Sequence, residues 1–94
     1  MNDFLTHLIG SIFKILPLKE DYDSGIDIGL KDYLDSLYMQ LVGGRMTYKE
    51  LDSNQHYISI VNTIGYLNSH DFTHKQCKRE VFKCIKLLQE IVTE

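Results

Sequence analysis

The sequence predicts an all-α fold, a small antiparallel helical bundle of about four helices. Three observations carry this. Apolar residues recur at helical spacing in four segments. The connections between those segments are short and polar, which favours neighbouring helices that run in opposite directions. One proline and six glycines leave little material for a turn-rich β-sandwich. Ninety-four residues make one domain, spanning 1–94, because so short a chain has no room for two cores.

The first segment runs from Phe4 to Leu16, after Asn2 or Asp3 as N-cap. Phe4, Leu5, Leu8, Ile9, Ile12, Phe13, Ile15 and Leu16 cover nearly half its circumference. That stripe is wider than a peripheral helix requires. Either two neighbours flank this helix, or part of it meets another chain. Phe4, Leu5, Ile9 and Phe13 are the candidate oligomer interface. Pro17 is expected to end the helix, since the residue before a proline avoids the α region.

A polar connection, PLKEDYDSG, leads to the second segment, Ile26 to Val42. Ile26, Leu30, Tyr33, Leu34, Leu37 and Leu41 share one face, and Asp27 favours the positive end of the helix dipole. Gly43-Gly44 reads as its C-cap. Thr47-Tyr-Lys-Glu50 has capping-box spacing and suggests a short helical turn. The third main segment runs from Asn54 to Asn68 after Ser53 as cap, with Tyr57, Ile60, Val61, Ile64 and Leu67 inward. Gly65 flanks that face and permits close helix approach. A strand competes over residues 57–64, where β-branched residues crowd, but the helical register separates polar from apolar better. Tyr38 and Tyr66 point away from the core stripes.

The fourth segment opens with a second capping box, Thr73-x-x-Gln76, and runs to Val92. It separates into two faces. Cys77, Val81, Cys84, Ile85, Leu88, Ile91 and Val92 line one. Lys75, Lys78, Arg79, Lys83 and Lys86 line the other, with Phe82 among them. The cysteines lie seven residues apart on one helix, about 10 Å, too far for a disulfide with each other. They read as small core hydrophobes. A metal site from His70, His74, Cys77 and Cys84 is the competing reading, weakened because Cys84 points into the apolar stripe.

Net charge is −3, unevenly spread. Glu20 to Asp35 carries six acids and one lysine, whereas Thr73 onward carries five cations and three acids. The acidic total argues against non-specific nucleic-acid binding. The basic face with Phe82 at its centre suits a protein partner, and Lys75, Arg79, Phe82, Lys83 and Lys86 are the candidate partner-binding residues. A solvated face and a face paired with the acidic second helix are the plainer readings.

Asp21 to Asp27 alternates oxygens as calcium loops do, but Ile26 and Asp32 stand where an EF-hand needs Gly and Glu. No phosphate-binding glycine loop, HExxH or GxSxG occurs, and no cofactor is expected. No stretch reaches a membrane span, and Asp3, His7 and Lys14 spoil a secretory signal, so a cytoplasmic location is expected. Small four-helix immunity and phage-encoded accessory proteins share this size and helical plan, a likeness of fold alone. The resulting expectation is a non-enzymatic protein-interaction module, a homo-oligomer or a subunit of a larger assembly. The alternatives are a nucleic-acid-binding accessory protein using the basic face, and a metal-dependent or thiol enzyme.

Overall fold

The computed structural model describes residues 1–26 and 29–93. Among them every regular element is a helix, so the fold is all-α and the strand reading of 57–64 is excluded. Six helices follow in order: α1 (Asn2–Phe13), α2 (Ile15–Asp23), α3 (Leu30–Thr47), α4 (Lys49–Asp52), α5 (Gln55–Ser69) and α6 (His74–Thr93). The molecule is elongated, 40 × 21 × 21 Å.

The first apolar segment is two helices, not one. The chain turns at Lys14, and Pro17 sits in the first turn of α2 instead of ending α1. A proline in a first turn removes an N–H that has no helical partner there. In a continuous helix the same proline would delete a bond to Phe13. Breaking at Lys14 avoids that loss.

The start of the second segment also moves. Gly29 takes φ +84°, a left-handed conformation that suits glycine, and α3 begins at Leu30. Ile26, expected on the inward stripe, is therefore outside the helix and 51% exposed. The expected dipole contact of Asp27 lies outside the described residues. From Leu30 the pattern holds, with Leu34, Leu37 and Leu41 all buried.

Gly43-Gly44 does not cap this helix; α3 continues to Thr47. Gly44 serves a different purpose. A Cβ there would collide with the Tyr57 hydroxyl and lie 2.7 Å from the Phe4 ring. The glycine lets α1 and α5 close on the end of α3, where Tyr57 donates a buried hydrogen bond to the Leu41 carbonyl. Gly65 plays the role its position suggests, since the Tyr38 ring rests 2.9 Å from where its Cβ would stand. Tyr38 is thus half-buried against α5, not turned away.

Three of the four expected N-caps shift. Asn2 and Asp3 lie inside α1, which starts after Met1 with no side-chain cap. Thr47 is the last residue of α3, and no side chain caps α4. Asn54, not Ser53, caps α5, its Oδ1 accepting from the Tyr57 amide at 3.1 Å. The Thr73–Gln76 box forms as predicted: Thr73 N–H donates to Gln76 Oε1 at 2.9 Å, and Gln76 N–H donates to Thr73 Oγ1 at 3.1 Å.

The helices pack around α6, which contacts α1, α2 and α5. α3 contacts α5, α2 and α4, so α5 on one side and α2 on the other link it to α6. The buried side chains of all six helices form one cluster. The wide stripe of the first segment is largely used inside it: Leu5, Leu8, Ile12 and Ile15 are fully buried, and Phe4 and Ile9 pack on its edge. In the middle of α2, Lys19 is only 5% exposed. Its Nζ donates to Asp23 Oδ1 at 2.7 Å and stands 4.7 Å from the Phe72 ring and 5.1 Å from that of Tyr22.

Candidate protein-docking face

The two faces of α6 separate cleanly. Cys77, Val81, Cys84, Ile85, Leu88 and Ile91 are buried. Lys75, Lys78, Arg79, Phe82, Lys83 and Lys86 are all exposed. Among the described residues, Lys75, Lys78, Lys83 and Lys86 make no ion pair, and no acid of α3 reaches a cation of α6. The intramolecular pairing of acidic and basic helices is therefore not formed there. A row of unpaired cations remains.

Phe82 has a partner that helix periodicity did not reveal. α1 packs along α6 and brings the Phe13 ring edge-on to Phe82, with centroids 5.9 Å apart and planes at 82°. Both rings stay open to water, Phe13 at 41% and Phe82 at 46%. On α6, Lys78 and Lys86 lie one turn either side of Phe82, with Lys83 beside it. The result is a continuous aromatic ridge set among cations. Of the residues expected to meet another chain, Phe13 is thus exposed, Phe4 and Ile9 are half-buried, and Leu5 offers no surface.

The cysteines sit inside. Both have no exposed surface. Burial pushes the Cys77 thiol up to about 11; the nearby Lys19 charge opposes that and Asp23 adds to it. Burial pushes Cys84 up to about 12, with Glu80 adding to it and a Thr63 hydrogen bond and Lys83 opposing. Such thiols are neutral at pH 7, which makes them poor nucleophiles. His70 and His74 are exposed, and among the described residues no group of three or more His, Cys, Asp or Glu side chains is placed to hold a metal ion. That covers both the His–Cys reading and the described part of the Asp21–Asp27 segment. Among the described residues no helix is long and apolar enough to cross a membrane.

A second feature went unread in the sequence, a cleft of about 530 Å³ between α5 and the start of α6. Leu67 and Phe72 contribute its buried residues, and Asn62, Tyr66, Arg79 and Glu80 are among its polar lining. Its residues come from two helices and a turn, so no single-helix projection groups them.

No protein-family model, curated protein or solved structure matches the chain. What fold and surface define together is an all-α protein that presents an aromatic ridge among unpaired cations.

Proposed function

We propose that the chain is a non-enzymatic protein-interaction module, a single helical domain that docks an acidic protein surface on the Phe13–Phe82 ridge. The observation that carries it is that aromatic pair, open to water and flanked by Lys78, Lys83 and Lys86. Aromatic side chains are favoured at interfaces because the ring fills an apolar socket, and lysines on the rim select a carboxylate-bearing partner by complementary charge. We read the scaffold as an antiparallel four-helix bundle in which α1 and α2 form one broken arm. Two contacts support this. His56 at the start of α5 stands 3.2 Å from Glu90 near the end of α6, and Phe4 at the start of α1 lies against Gly44 near the end of α3.

The first candidate partner is a second copy. Glu20, Asp32 and Asp35 are exposed acids on α2 and α3, complementary to the basic face of α6. Sedimentation at low and high salt tests this. The expected result is an oligomer that weakens with salt. Phe82→Ala should weaken it by more than about ten-fold, as truncation of a hot-spot aromatic does. A monomer at millimolar concentration overturns self-docking. Salt-sensitive binding of a random oligonucleotide by the same cations would replace the protein partner with nucleic acid.

A further inference from the structure

The α5–α6 cleft is separate from the Phe13–Phe82 ridge. Its volume of about 530 Å³ lies within the range of roughly 300–1,000 Å³ usual for small-molecule sites. Half-buried Ile58 gives it apolar wall, with the buried Leu67 and Phe72 behind. Among the described residues Arg79 and Glu80 are the only charged side chains that line it, so the formal charge of that lining sums to zero. A polyanion such as a nucleotide phosphate would meet Glu80 as well as Arg79. A purely apolar ligand would strand the polar groups of the lining without partners.

The two charges are adjacent in sequence and only loosely joined. Arg79 Nε stands 3.4 Å from Glu80 Oε1, longer than the roughly 2.7–2.9 Å of a strong charge-assisted bond. The two terminal guanidinium nitrogens of Arg79 have no partner among the described residues, and neither does the carboxamide of Asn62. Glu80 is the more sheltered of the pair, its side chain 23% exposed against 69% for Arg79.

The geometry points to a binding site for a free α-amino acid with an apolar side chain. Such a ligand carries a carboxylate and an ammonium on one carbon, and therefore needs opposite charges side by side. The terminal nitrogens of Arg79 take the carboxylate in a forked pair of bonds. The Glu80 carboxylate takes the ammonium. The Asn62 carboxamide supplies a further hydrogen bond, and the ligand side chain lies on Ile58, above Leu67 and Phe72.

Isotope-labelled full-length protein titrated with L-leucine, L-methionine and L-phenylalanine tests this by amide chemical shifts. The expected result is saturable shifts confined to residues 58–67 and 72–80 with at least one of the three. N-acetyl-L-leucine and L-leucinamide each lack one charge and should bind at least ten-fold more weakly. Arg79→Gln and Glu80→Gln should each lower affinity at least ten-fold. Both sites are at the surface rim, so an unchanged melting temperature verifies that the variants are folded. No shifts at 10 mM ligand, a concentration far above typical dissociation constants for such sites (roughly micromolar to millimolar), overturns the assignment. So does equal binding of the charge-blocked derivatives, or tighter binding of adenosine monophosphate than of any amino acid.

Discussion

Gly44→Ala should lower the melting temperature by about 10 °C or more, and Gly44→Val should leave little folded protein. In an ordinary helix, replacing glycine by alanine stabilises by about 1 kcal/mol. Here the sign reverses. The new Cβ would collide with the Tyr57 hydroxyl and lie 2.7 Å from two Phe4 ring carbons. Both obstacles are held in place, Tyr57 by its hydrogen bond to Leu41 and Phe4 by the Tyr48 ring 5.4 Å away. Overpacking a tight site costs about 1–3 kcal/mol, and losing the buried hydrogen bond adds about 1 kcal/mol. A domain of this size loses about 4–8 °C per kcal/mol. Gly43 is the built-in control, because nothing lies within 4 Å of a Cβ there. Gly43→Ala should melt no lower than the parent. Thermal unfolding followed by circular dichroism decides it; a Gly44→Ala protein as stable as the parent would mean that the ring and hydroxyl yield freely.

The second large effect is an alkaline loss of stability. Burial raises Cys77 from 9.0 to about 11, Cys84 from 9.0 to about 12 and Tyr57 from 10.0 to about 12. In each case the folded state holds its proton more tightly than the unfolded chain. Stability is therefore fully present below pH 9 and falls as pH rises, because the unfolded state gives up protons first. One pKa unit corresponds to about 1.4 kcal/mol, so the three groups together remove several kcal/mol by pH 11. That approaches the lower end of the stability of a typical domain, about 5–15 kcal/mol. Urea midpoints between pH 7 and 11 should drop steeply above pH 9. A Cys77→Ala/Cys84→Ala protein should be weaker at pH 7, since two buried side chains are truncated, yet its decline should begin about one unit later, where tyrosine takes over. A flat profile in the parent would show that the thiols reach water.

The helices were legible because burial follows the 3.6-residue period. The inward residues of α5 and α6 are those the periodicity selects, except that Val92 is only half-buried, and the Thr73–Gln76 box is local chemistry within one turn. Errors arose where one residue type serves two purposes. Gly43-Gly44 resembles a helix terminus, and only the distant Phe4 and Tyr57 reveal that Gly44 is a contact point. Pro17 resembles a stop signal, and only the break at Lys14 turns it into a first-turn residue. Ile26 carries the right period, yet α3 begins only after the left-handed Gly29, three residues further on.

The docking face was half legible. Exposure of Phe82 and the lysines follows from the wheel of α6 alone. Its pairing with Phe13 joins residues 69 positions apart in the chain, and nothing local encodes that meeting. The over-wide stripe of the first segment did carry a clue, because more apolar surface was present than one neighbour would cover. Most of that surface turned inward, and Phe13 is the part left outside. The cleft had no such clue, being formed by the spacing between two helices and the turn that joins them.

Among the described residues Lys19 is the one charged side chain buried with the core, shut in by Asp23, Phe72 and Tyr22. An amine sealed this way is also sealed from acylating reagents and acetyltransferases. Labelling of the native chain would mark the lysines of α6 and pass over this one, so its sudden appearance in a modification map would announce that α2 had come away from the turn before α6.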